Sequence, residues 1–108
     1  MENRANVMKE WHRAELKAVL AVMAASWTAK VGEENVAREV KQMSTQWGSC
    51  IEKKRHLIFN LELARVPKSC IEYVVVHELT HLKVKSHNKL LAALMTQRLP
   101  HWQERPTN

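Results

Sequence analysis

Apolar residues at Met8, Trp11, Leu16, Leu20, Met23 and Trp27 recur in steps of three, four and five, with charged side chains between them. That spacing draws one face of a helix and predicts a long N-terminal helix from about Val7 to Lys30, with Gly32 as its stop signal. From Val36 to Met43 apolar positions alternate with charged ones, the pattern of a short, half-exposed strand, and Trp47-Gly48-Ser49-Cys50 breaks it. Leu57 to Leu63 reads as a second strand, with Lys53-Lys54-Arg55 as the loop or hairpin before it. Pro67 ends that strand, and Ser69 followed by Glu72 reads as a capping box that opens a helix carrying Tyr73, Val74, Val75, Val76, Leu79 and Leu82. Three consecutive valines favour a strand by propensity alone; the cap and the apolar spacing after it favour helix. A short last helix from about Asn88 to Arg98 stops at Pro100. No repeat, low-complexity stretch or Pro/Gly-rich linker divides the chain, so residues 1–108 are expected to form one small α+β domain.

Composition narrows the chemistry by what is missing. The 108 residues include two glycines, Gly32 and Gly48, too few for a glycine-rich phosphate cradle. There is no aspartate, which removes the aspartic-protease dyad, the Ser-His-Asp triad and the EF-hand loop in their usual forms. Cys50 and Cys70 are too few for a disulfide framework and lack metal-ribbon spacing, so they are expected to be free thiols in a reducing compartment, acting as small hydrophobes. The apolar run Ala18 to Trp27 is far too short to span a membrane, and the mixed charges before it make a poor leader; the expectation is a cytoplasmic protein with no membrane anchor. Charge is uneven: residues 51–108 carry ten basic and five acidic side chains, against seven and six in residues 1–50. The basic half could steer the protein to nucleic acid or an acidic partner, or serve only solubility.

Six histidines remain, three of them inside eleven residues. His77-Glu78-Leu79-Thr80-His81 lies within the apolar helix. Histidines four apart stand about 40° apart around a helix axis and one turn along it, so both imidazoles reach one ion from the same side. Glu78, rotated by about 100° from His77, lies beside that ion and can take a proton from a water held there. His87 follows six positions after His81. On a continued helix it would point about 240° away, so the chain must leave the helix near Val84 to Ser86 for His87 to serve as a third ligand. Asn88 is a good cap for the helix that follows. Metzincins share both intervals but place glycine where Val84 stands, which argues against them.

The stretch from Trp47-Gly-Ser-Cys50 through Asn60-Leu61 to Tyr73-Val-Val-Val-His-Glu-Leu-Thr-His-Leu82 and Ser86-His87 resembles the YgjP-like metallopeptidases, relatives of the SprT-like and WLM protease domains. The likeness runs from about Val36 to Trp102 and includes the Leu99-Pro100-His101-Trp102 ending. The resemblance implies a small α+β fold with a three-stranded sheet beside the active-site helix, one zinc ion per chain on His77, His81 and His87, and Glu78 as the catalytic base. Three departures stand out. Leu91-Ala92 replaces the family's aromatic pair after the third histidine, which bears on pocket shape or packing. Gln46 stands where a basic residue is common, and the chain is short against longer relatives.

Two functions of different class follow. One is a zinc peptidase that hydrolyses peptide bonds in a peptide or protein substrate, with Glu78 moving the proton. The other is a catalytically silent module in which zinc clips the helix to the His87 turn while the basic half binds nucleic acid or a protein. Trp47 reads equally as cleft wall or core anchor, and Tyr73, one turn before His77, could reach the site but reads first as core packing. His12, His56 and His101 carry no assignment, and no residue identifies itself as an oxyanion stabiliser.

Overall fold

The computed structural model describes residues 4–100. It is an α+β fold of three helices and one three-stranded mixed sheet, as expected: α1 (Arg4–Val31), β1 (Ala37–Lys41), β2 (Gly48–Ile51), β3 (His56–Asn60), α2 (Lys68–His81) and α3 (Lys89–Arg98). Two 3-10 turns, Glu52–Lys54 and Leu61–Arg65, join the last two strands and lead into α2.

Helix α1 ends where its sequence says it should. Gly32 takes φ of 75°, and the Glu33 amide donates to the Thr28 carbonyl at 3.0 Å, closing the last turn by a Schellman bond. Leu16, Leu20 and Trp27 are buried, but Trp11 is 55% exposed and stands outside the core. The Met8 side chain lies outside the described residues.

The sheet order is β1-β3-β2, with β3 parallel to β1 and antiparallel to β2. Trp47-Gly-Ser-Cys50 therefore does more than break a strand: from Gly48 it forms the third strand, paired with Phe59 through His56. The expected strand from Val36 to Met43 shortens to Ala37–Lys41, and the expected Leu57–Leu63 strand stops at Asn60. Asn60 causes that stop. Its buried side chain accepts from the Glu62 amide at 2.9 Å and donates to the carbonyls of Met43 and Gln46 at 3.1 and 2.6 Å. One side chain thus starts the 3-10 turn and ties the segment before Trp47 to the sheet. The Lys53–Arg55 loop is a hairpin turn closed by Arg55 in the left-handed region, φ 49°, whose guanidinium bonds Glu33 at 2.7 Å and the Glu34 carbonyl.

The capping box is not used. Helix α2 begins one residue before Ser69, at Lys68, with Pro67 as N-cap and no side-chain cap. Proline sets the chain direction there, and the Cys70 and Ile71 amides donate to its carbonyl. Glu72 instead accepts from the Trp27 indole at 2.9 Å, fastening α2 to α1. The core gathers Leu16, Leu20, Leu57, Phe59, Leu63, Val75, Val76, Leu79 and Met95 between the sheet and the helices. Among the described residues no helix is long and apolar enough to cross a membrane.

Candidate metal centre

Helix α2 presents two faces. Val75, Val76, Leu79 and Thr80 are wholly buried on one, which fixes the rotation of the helix. His77, Glu78 and His81 line the cleft on the other side. The chain leaves the helix at Leu82, slightly ahead of the Val84–Ser86 stretch expected from sequence. Val84, 7% exposed, then plugs into the core, and Asn88 caps α3 by accepting from the Leu90 and Leu91 amides at 3.0 and 3.1 Å. Between these two anchors the turn swings His87 back over α2.

Three imidazoles converge as a result. His77 Nε2 lies 3.0 Å from His81 Nε2 and 3.3 Å from His87 Nε2, and one ligand atom from each residue falls within 4.8 Å of the others. Nitrogens bound at zinc–nitrogen length to one tetrahedral ion stand about 3.4 Å apart, so this cluster is the right size to hold one. The donor chemistry also fits. His81 Nδ1 lies 3.0 Å from the Val84 carbonyl; donating there leaves its Nε2 lone pair facing the cluster. Burial and the two neighbouring imidazoles push His77 down to about 4, so it is neutral and able to ligate near pH 7. His77 Nδ1 is buried without a hydrogen-bond partner.

Glu78 is 7% exposed, and burial pushes its carboxyl up to about 7. Strand β2 passes so close that a methyl group on Gly48 would stand 2.9 Å from Val74 Cγ1, 3.0 Å from Glu78 Cγ and 3.2 Å from Glu78 Oε2. Only hydrogen fits at that position, which explains the glycine in Trp-Gly-Ser-Cys. The sequence reading missed this role, although glycine inside a strand is itself a signal of close approach.

A cleft of about 770 Å³ opens in front of these groups, between β2 and its hairpin turn on one side and α2 on the other. Trp47 lines it and is exposed, which makes it cleft wall rather than core anchor. Tyr73 packs partly on the core as expected, yet it also lines the cleft, its ring centred 5.6 Å from His77. Cys50 and Cys70 line the cleft, neither in a disulfide; burial and then the nearby Glu78 push Cys50 up to about 11. Leu91 is buried in the core and neither it nor Ala92 lines the cleft, so the replaced aromatic pair changes packing behind the site. His56 stands 3.5 Å from Glu39 and His12 against Trp11, both away from the cleft. His101 and Trp102 lie outside the described residues. Of the basic half, Arg55 and Lys83 engage Glu33, while Lys53 and Lys85 border the cleft.

Solved structures share the fold. The metallopeptidase zymogen of Pyrococcus abyssi abylysin superposes with a TM-score of 0.71 at 14% identity, covering 79% of this chain and 86% of that one. That of Methanocaldococcus jannaschii jannalysin gives 0.64 at 20% identity, covering 74% and 80%. No curated protein sequence matches the chain. The profile of the YgjP-like metallopeptidase domain matches residues 1–108 from end to end, and the chain belongs to that family.

Proposed function

We propose that this YgjP-like family member is a zinc-dependent peptidase, with His77, His81 and His87 holding one zinc ion and Glu78 serving as general base. The observation that carries the reading is the convergence of three imidazole nitrogens beside a buried carboxyl at the wall of an open cleft. Zinc in such a site supplies a Lewis acid that polarises a carbonyl and brings the ionisation of water towards neutrality. Glu78 takes a proton as water adds to the scissile carbonyl carbon, and returns it to the amine nitrogen as the carbon–nitrogen bond breaks.

Strand β2 supplies the place for a substrate. The Asn60 amide donates to the Trp47 carbonyl at 3.0 Å, which sets the phase of the β2–β3 ladder. In an antiparallel pair the bonded positions alternate, so Ser49 bonds across to Ile58 while the peptide groups of Gly48 and Cys50 face the outer edge. An extended peptide added to that edge lies beside the Glu78 carboxyl, because Gly48 does.

Elemental analysis of protein purified without chelator should find one zinc per chain, lost or weakened in His87→Ala. Glu78→Gln should keep its zinc and lose about 10²- to 10⁴-fold in peptide turnover. Equal turnover in wild type and Glu78→Gln would leave the silent zinc-clipped module as the better account. Failure to take up zinc at all would end the metal reading.

A further inference from the structure

The cleft continues past the imidazoles towards the start of α2, and its character changes along the way. Cys70 and Val74 precede His77 by seven and three residues, about 10 and 4.5 Å back along the helix axis. Leu63 and Val66, from the 3-10 turn before α2 and its end, complete this inner part of the wall. Leu63 is 1% exposed and Val74 6%, so these two are held by the core and the wall is formed before anything binds. The charged residues that line the cleft apart from Glu78 are Glu52, Lys53 and Lys85, all exposed, on the hairpin turn and the loop before α3. Leu63, Val66, Cys70 and Val74 carry no charge themselves, and the charged side chain that stands next to them is Glu78, beside Val74.

We propose that this inner end is a pocket for a bulky apolar side chain, so that the enzyme cuts peptide bonds next to leucine-, methionine- or phenylalanine-like residues. The inference rests on the peptidase reading and specifies its substrate class. A peptide extended along β2 advances about 3.3 Å per residue and sends alternate side chains to opposite faces. One side chain within a residue or two of the bond beside Glu78 is therefore aimed at Val74 and Cys70, and its neighbours point to solvent. An apolar group gains there by leaving water, whereas a charged group would lose its hydration against an apolar wall.

The test uses zinc-loaded protein and a peptide set identical except at one position, which is cycled through Leu, Phe, Ala, Asp and Lys on each side of the cleaved bond. On the side that enters the pocket, Leu and Phe peptides should be cleaved at least about tenfold faster than Ala, with Asp and Lys slower still. Val66→Lys should raise the Asp peptide above Leu, and Cys70→Phe, which fills the space without adding charge, should favour Ala over Leu. Binding of fluorescent versions of the same peptides to Glu78→Gln, read by anisotropy, should give the wild-type order without relying on turnover. Cleavage that ignores the varied residue, or an order unmoved by both wall variants, would overturn the pocket while sparing the peptidase. Apolar-selective binding with no cleavage by wild type would instead sink the peptidase reading and keep the pocket.

Discussion

On the inner face of α2, Val75, Val76, Leu79 and Thr80 are sealed from solvent, and the Thr80 hydroxyl donates to the Val76 carbonyl at 2.7 Å while accepting from Arg98 at 3.0 Å. On the cleft face of the same turns, a carboxyl is buried without a cation beside it, an imidazole nitrogen is buried without a partner, and three imidazoles crowd within hydrogen-bonding distance. One face is satisfied by its neighbours in the chain, and on the other the described residues leave polar groups unmet, which the proposed zinc site would use. The difference shows where stability comes from: a helix can carry a costly face of this kind only if its opposite face is packed without compromise.

The comparison can be broken hardest from behind. Leu79→Ala should cost about 2–5 kcal/mol in urea or thermal unfolding, because it opens a cavity under the helix while touching no imidazole. If zinc content then stayed at one per folded chain, the two faces would be separable as claimed. Gly48→Ala attacks the cleft side. Its methyl group would press on Val74 and Glu78, at a cost of about 1–3 kcal/mol, and should lower turnover while leaving zinc content unchanged. Asn88→Ala should cost only about 1 kcal/mol as a lost cap, but it also loosens one anchor of the His87 turn, so zinc affinity should fall with it.

The finest probe is pH, applied to metal-free protein. Glu78 is held at about 7 against 4.5 for an ordinary carboxyl, so between those values the folded chain binds more protons and stability falls as pH rises. His77 is held at about 4 against 6.5, so between those values the unfolded chain binds more protons and stability rises with pH. From pH 4.5 to 6.5 the two slopes oppose each other and the wild type should show little net change from this pair. Glu78→Gln removes the falling contribution, so its Tm should climb more steeply across that range than that of the wild type. Parallel Tm profiles would mean that the carboxyl is not held as described.

Much of this was readable from the chain because the signals were local. The interval between His77 and His81, the stop at Gly32 and the cap at Asn88 each depend on geometry within a turn or two, and each stands where the spacing placed it. The third strand did not announce itself by alternation, since Gly48 to Ile51 is short and becomes a strand through pairing with β3, a partner set by the hairpin. Ser69 and Glu72 carried a correct capping pattern that lost to a proline and to the Trp27 indole, both contacts outside the pattern. Trp47 could be read equally as cleft wall or core anchor, and the cleft roles of Cys50 and Cys70 were invisible, because a wall exists only once β2 and α2 face each other.

The third histidine sits beyond the end of its helix, on a turn held by Val84 and Asn88, ten residues after the first. An ion shared by His77 and His87 is therefore a removable cross-link, closing a loop in the chain much as a disulfide would but answering to concentration instead of redox potential. Each tenfold of free zinc above the dissociation constant adds about 1.4 kcal/mol to the folded state. If His77 and His87 share zinc as proposed, the stability of the folded chain would follow the local zinc supply.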